Sequence, residues 1–434
     1  MLNLWGSRNG TNCDGASRRD FLKVGALGMS SFLLSDLLRA RAAAAKAGQS
    51  TANKSVVWLW LGGGPTHVET FDPKMSAPAE FRSVTGAVAT NVPGIEIGGT
   101  FAKIAQVADK MAFVRSFAHS NSGHGGGTHW VMTGYNFVAA DNGGAPIKPG
   151  MGAILSRFRG PNNPATGLPT YVRLNGILGD GPAWLGSAYA PFDVGGNARN
   201  NMNLKGALDN LEQRRTLLKA FDDLDRGVDQ SGLLAGLDSF EQQAFELILS
   251  RAKEVFDISK EDPRTRDRYG TGLGQQLLMA RRLCEAGVGF VTVNFGGWDM
   301  HGQIANGMKN LGPKVDHAVA TFVQDCADRG LDKDILLVIT GEFGRTPRIN
   351  QNAGRDHWAP LSTLALAGGG LRMGQVVGES TAKAEVPKTT PISPQDLMAT
   401  VFHVLGLPQD LHYKDPTGRP TPMIQGGKPI AELI

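Results

Sequence analysis

The apolar run inside "SVVWLWLGGGPTH", residues 55–67, constrains this chain more than any other feature. A strand with one wet face alternates apolar and polar residues, whereas Val56 to Leu61 is apolar without a break. Both faces of such a strand must be covered. Further runs of strand length follow in "KMAFVRSF", "TYVRL", "GVGFVTVNF", "DILLVITGEFG" and "STLALAGGG". Between them lie stretches with helical spacing: "GLGQQLLMARRLCEAG" from Gly272 to Gly287, "PKVDHAVATFVQDCADRG" from Pro313 to Gly330, and "SPQDLMATVFHVLG" from Ser393 to Gly406. Each closes on a glycine, and the last opens with Ser393 as N-cap and Pro394 at the first helical position. Apolar strands alternating with amphipathic helices predict an α/β fold, a three-layer α/β/α sandwich around a mostly parallel central sheet. Ligands of such sheets bind beyond the carboxyl ends of the strands. The polar residues directly after each strand are therefore the candidate site residues.

Residues 185–270 break this rhythm. "NNMNLKGALDNLEQRRTLLKAFDDLDR" and "LDSFEQQAFELILSRAKEVFDIS" read as two long helices without strands, which predicts a helical insertion or cap.

The amino-terminal segment "SRRDFLKVGALGMSSFLLSDLLRARAAAA" has the layout of a signal peptide, and its uncharged core, Val24 to Ser35, is too short for a hydrocarbon layer of about 30 Å. Ser17-Arg18-Arg19-Asp20-Phe21-Leu22-Lys23 resembles the twin-arginine export consensus. That resemblance implies recognition by the twin-arginine machinery and export in the folded state to the periplasm or beyond. Residues 1–45 are then a removable signal, residues 46–434 the mature domain, and no stable membrane anchor remains after cleavage. Export of folded chains often accompanies loading of a metal or cofactor.

The same segment explains most of the charge. Residues 1–45 hold six Lys/Arg against three Asp, leaving about +1 of the formal +4 on the mature chain. A nearly neutral protein has no electrostatic footprint for nucleic acid. Outside the leader only Cys284 and Cys326 remain, each in a helical pattern, which predicts buried small apolar side chains rather than a disulfide framework.

The strand ends gather a consistent set of side chains. The first strand is followed by His67, Glu69 and Asp72, and the second by the loop residues His119, His124 and His129 in "AHSNSGHGGGTH". "GVGFVTVNFGGWDMHG" delivers Asp299 and His301, "TGEFGRTP" delivers Glu342 and Arg345, and "GRDHWAP" adds Asp356 and His357. Asp299 and His301, two apart, project to one face if the strand continues that far. Imidazoles and carboxylates are ligands for divalent ions.

"LWLGGGPTHVETFDPK", "GWDMHG", "TGEFGRTPRIN" and "GRDHWAP" together resemble a bacterial family exported by the twin-arginine route and defined by a domain of unknown function, with alkaline phosphatase/sulfatase-like architecture. "HGGGTHWVMTG" is similar in spacing to the sulfatase nucleophile segment, and "ISPQDLMATVFHVLGLP" to a segment near the sulfatase carboxyl terminus. The resemblance implies one or two divalent ions, zinc, manganese or calcium, at the carboxyl edge of the sheet. It carries metal-ligand roles onto Asp299 and His301, and onto Glu342 as the acid of an acid–His pair whose second member is here Phe343. His357 would supply the missing imidazole. The acidic ligand expected after the first strand falls near Gly62 or Gly63, so that His67, Glu69 or Asp72 would replace it. The nucleophile position falls at His124, which excludes a formylglycine mechanism and leaves Ser122, Thr128 or an ion-activated water.

The function expected from these residues is metal-dependent hydrolysis of phosphate or sulfate esters, on a small-molecule or glycan substrate. Asp299, His301, Glu342, His357 and His67 would hold the metal, His124, Thr128 and His129 would act as catalytic groups, and Arg345 would bind the anion bidentately. The alternative is a non-catalytic cell-surface binding or assembly protein on the same scaffold.

Overall fold

The computed structural model describes residues 54–138, 146–194 and 252–434. Eight strands build the central sheet: β1 (Ser55–Trp60), β2 (Met111–Val114), β3 (Tyr171–Arg173), β4 (Phe192–Asp193), β5 (Phe290–Asn294), β6 (Ile335–Thr340), β7 (Leu364–Gly368) and β8 (Gln375–Val377). Their order across the sheet is β8-β2-β7-β6-β1-β5-β3-β4. β1 lies at the centre, parallel to β5 and β6, and every residue in it is buried. Only β7 runs against its neighbours, β2 and β6, so the sheet is mostly parallel as the unbroken apolar runs predict. β7 pairs Leu364 with Thr340. Residues 341–363 therefore leave the sheet and re-enter it at the same edge.

The side chains of β1 divide between two cores, as alternation along a strand requires. Val57 and Leu59 pack with Leu277 and Leu283 of α3 (Leu273–Glu285) and with Val315, Val319 and Phe322 of α4 (Ile304–Asp328). Val56, Trp58 and Trp60 face the other way, toward α1 (His124–Thr133), α2 (Met151–Arg159) and α5 (Pro394–Leu405). The result is three layers, α/β/α. α5 matches its sequence signals: Ser393 and Asp396 form a reciprocal capping box, Pro394 opens the helix, and Gly406 closes it in the left-handed conformation.

Two helices differ from expectation. α4 starts at Ile304 and runs through Pro313, where the proline marked a first turn in the sequence. Ile304 and Met308 are buried in the core, and their packing outweighs the hydrogen bond that Pro313 cannot donate. The segment "HGGGTH", expected as a loop, forms the first part of α1. Gly127 has a packing reason, because a Cβ there would come within 2.8 Å of the Glu342 carbonyl oxygen. Close approach to the end of β6 overrides poor helix propensity.

Cys284 and Cys326 are buried and free. Near them, the fully buried Arg281 of α3 pairs with Glu261 and with Asp325 of α4, which also accepts from Tyr269 Oη at 2.9 Å. Of the stretch read as a helical cap, residues 195–251 lie outside the described residues, as does the signal segment 1–45; β4 falls in its described start. Among the described residues no helix is long and apolar enough to cross a membrane.

Gly127→Ala tests the close approach. In an ordinary helix the change stabilises by about 1 kcal/mol. Here urea unfolding should show a loss of about 1–3 kcal/mol from overpacking against the strand end.

Candidate metal centre

β1, β5 and β6 end side by side, with Trp60 paired to both Asn294 and Thr340. The segments that follow them meet at one point. The strand expected to carry Asp299 and His301 stops at Asn294, and the two residues are instead set by tight backbone bonds, Met300 N to Trp298 O at 2.8 Å and His301 N to Asp299 O at 3.1 Å. They still converge: His301 Nε2 lies 3.0 Å from Asp299 Oδ1. His357 comes from a two-residue ladder in which it pairs with Arg345, and its Nε2 lies 3.1 Å from both Asp299 Oδ1 and His301 Nε2. His124, the first residue of α1, brings its Nε2 to 3.5 Å from Asp299 Oδ2.

The other nitrogen of each ring reveals the chemistry. His301 Nδ1 lies 2.7 Å from Asp356 Oδ1, His124 Nδ1 lies 2.7 Å from Glu342 Oε1, and His357 Nδ1 lies 2.9 Å from the Ser122 carbonyl oxygen. Carboxylate and carbonyl oxygens only accept, so each Nδ1 donates its hydrogen. A ring that keeps only that hydrogen presents an Nε2 lone pair, and the three Nε2 atoms face the Asp299 carboxylate; acceptors so placed repel one another unless a cation or a proton sits among them. The ligand atoms of His124, Asp299 and His357 lie within 4.8 Å of one another and could hold a metal ion. Donors about 2.0–2.2 Å from one ion sit roughly 3 Å or slightly more apart, and the His124 and His357 nitrogens lie 3.5 and 3.1 Å from Asp299 oxygens. The Nδ1–H to carboxylate or carbonyl bond is also the usual outer partner of a metal-bound histidine.

Arg345 completes the electrostatics. Its guanidinium is fully buried, with Nε donating to Gly64 O at 2.8 Å, Nη1 to Arg355 O at 3.1 Å, and Nη2 to Gly63 O and to Asp299 Oδ1. Partial burial raises the Asp299 carboxyl pKa, but the hydrogen bond and charge of Arg345 outweigh this and bring it down to about 2. His124 is raised, chiefly by its hydrogen bond to Glu342, whereas burial lowers His357. Phe343 lies against both rings, 4.3 Å from His357 and 5.1 Å from His124 between centroids. The opposite side is open, with the Asp299 and His301 side chains 46% and 47% exposed.

Several expected roles need correction. Arg345 was expected to bind a substrate anion, but it is buried and its donors are committed to the protein. Glu342 stands behind His124 rather than beside Asp299, and its Oε1 also accepts from Gly63 N at 2.9 Å. His124, expected as acid or base, lies in the group of side chains that could hold an ion. Thr128 donates to the carbonyl of His124 within α1 at 2.6 Å, and His129 is buried against Tyr135 O, so neither side chain reaches the cluster. His67 is buried and bonded to Ala384 O at 3.0 Å, beside a cavity that shares no residue with the cluster. Asp72 pairs with Lys74, Arg115 and Ser380, and Glu69 with Arg355. Asp356 was gathered with the strand-end residues but given no role; its place beside His357 in "GRDHW" was the available signal.

Burial lowers the pKa of His67 to about 4, against about 6.5 in an unfolded chain. Above about pH 6.5 the ring is neutral in both states and no stability is lost. As pH falls toward 4 the unfolded chain binds a proton that the folded one does not, so folding weakens. Urea unfolding at pH 7 and pH 5 should show a smaller acid-side loss in His67→Gln than in the unmodified chain.

No curated protein matches the sequence. Among solved structures the chain is similar to a sulfatase from Pseudoalteromonas sp., at 13% identity over 86% of this chain and 71% of that one, with a TM-score of 0.40. It is also similar to a phosphonate monoester hydrolase from Silicibacter pomeroyi, at 12% identity over 82% and 74% with a TM-score of 0.38. A TAB5 alkaline phosphatase aligns at 11% identity over 82% and 99%, with a TM-score of 0.35. Residues 53–434 match the family described as protein of unknown function DUF1501, and the chain belongs to that family.

Proposed function

We propose that this chain is an exported metal-dependent hydrolase of phosphate or sulfate esters. The observation that carries the reading is the convergence of three imidazole Nε2 atoms on the Asp299 carboxylate with every Nδ1 already donated to oxygen. The ester class follows from the resemblance of "GWDMHG", "TGEFGRTPRIN" and "GRDHWAP" to the phosphatase/sulfatase pattern, and the route from the paired arginines Arg18 and Arg19.

His124, Asp299 and His357 would hold one ion, with His301, whose Nε2 lies 3.0 Å from Asp299 Oδ1, as a fourth donor. Three imidazoles and a carboxylate suit zinc or manganese better than calcium, which takes oxygen ligands. When bound, such an ion polarises an ester oxygen and makes water nucleophilic near neutral pH. The protein's own part is positional. Glu342, Asp356 and the Ser122 carbonyl fix the three tautomers, Arg345 keeps Asp299 ionised and aligned, and Phe343 packs against two of the rings. The exposed side of the cluster admits the ester. Ser122 is the hydroxyl nearest this arrangement in sequence, and its Oγ accepts from Ala359 N at 3.1 Å.

One observation favours a second reading, a binding protein without turnover: Thr128 and His129, two of the three expected catalytic side chains, are turned into the protein. Elemental analysis of the natively exported protein, dialysed without chelator, followed by a panel of aryl phosphates, phosphodiesters and sulfates, separates the two. The hydrolase requires stoichiometric metal and metal-dependent turnover. Metal with no turnover of any ester favours binding alone, and a metal-free folded protein removes the centre.

His301→Ala and Asp299→Asn should each lower metal affinity by more than ~100-fold with the circular dichroism of the fold retained. Glu342→Gln, which removes only an outer partner, should cost ~10–100-fold. A chelator-competition titration of each purified variant checks the ranking.

A further inference from the structure

Arg355 is fully buried and sits where the two ligand-bearing segments cross. Its backbone N donates at 3.1 Å to the carbonyl of Met300, the residue between Asp299 and His301, and its own carbonyl accepts from Arg345. The next two residues are Asp356, which holds His301, and His357, which faces Asp299. What fixes Arg355 itself is its side chain. Nη2 lies 2.9 Å from Oε1 of Glu69, a carboxylate with no exposure, and donates to Arg82 O at 3.1 Å; Nη1 donates to Thr346 O at 3.1 Å and to Pro347 O. Glu69 is anchored in turn, accepting from Thr66 Oγ1 at 2.6 Å and from Val84 N at 3.3 Å. It sits in the single helical turn His67–Thr70 after β1.

We infer that the Glu69–Arg355 ion pair is the positioning element of the centre, holding the 299–301 segment in register with the 355–357 segment and thereby setting its metal affinity. Glu69 is thus no ligand but the counter-charge of the arginine that aligns two of them. The chain of contacts is short: Glu69 fixes Arg355, whose main chain fixes Met300 on one side and leads into Asp356 and His357 on the other. A buried charge with its partner removed must find another or move. Any movement of Arg355 shifts both ligand segments at once. The inference rests on the proposed metal centre.

The test uses the mature protein and zinc alone, titrated against a chelating indicator at 10 °C, with folding followed by circular dichroism in the same samples. Glu69→Gln should weaken zinc binding ~10–100-fold, the usual effect of disturbing an outer partner. Asp325→Asn breaks a buried ion pair between α3 and α4; it should lower Tm without changing zinc affinity. If Glu69→Gln does not fold at 10 °C, Glu69→Asp, which keeps the charge and shortens its reach, takes its place in the titration. Unchanged zinc affinity in the Glu69 variant, or an equal loss in Asp325→Asn, overturns the positioning role while leaving the centre intact. An unmodified protein that binds no zinc overturns the centre as a zinc site and this inference together.

Discussion

The Arg345 guanidinium is the contact on which the centre depends. It joins the Gly63 and Gly64 carbonyls after β1, the Asp299 carboxylate after β5, and the Arg355 carbonyl in the loop after β6. A guanidinium offers rigid planar donors, and these reach three chain segments that are far apart in sequence. Burying it is costly unless its donors are met, and here the partners belong to the segments that carry the candidate ligands. The geometry of Asp299 and the closure of the strand-end loops are one arrangement. Loss of either would leave the other without its partner.

Much of this was readable in the sequence, for identifiable reasons. β1 and β6 announce themselves because strands covered on both faces need unbroken apolar runs. Asp299, His301 and His357 stood out as metal-binding residue types directly after strands, where ligands of such sheets gather. α1 was not readable, since three glycines argue against a helix and the tertiary approach of Gly127 to Glu342, which accounts for one of them, is not visible in the sequence. Arg345 misled for a related reason. An arginine after a strand looks like an anion ligand, and nothing in "TGEFGRTP" shows that the carbonyls of Gly63 and Gly64 will enclose it.

The division of labour among the carboxylates was equally hidden. Glu69, Asp72 and Glu342 all looked like possible ligands, yet in the structure each, like Asp356, answers a cation or an N–H of the protein itself. Only Asp299 is shared by all three imidazoles. A carboxylate's role is set by its nearest donor, and spacing along the chain does not reveal which donor that is.

The reversed strand β7 has a consequence for how the site can vary. Because Thr340 and Leu364 are paired neighbours, the excursion between them begins and ends on adjacent rungs of one ladder. It carries Glu342, Arg345, Asp356 and His357, yet the sheet register is set without it. Inside it, residues 347–354 are enclosed between contacts of their own, Thr346 N to Asp356 O at 2.8 Å and the pairing of Arg345 with His357. That inner loop is not free to drift: Asn350 Nδ2 donates to the His301 carbonyl at 2.9 Å and the Pro347 carbonyl accepts from Arg355, so a change in its length or composition reaches Asp299, His301 and His357 even where the sheet register is untouched.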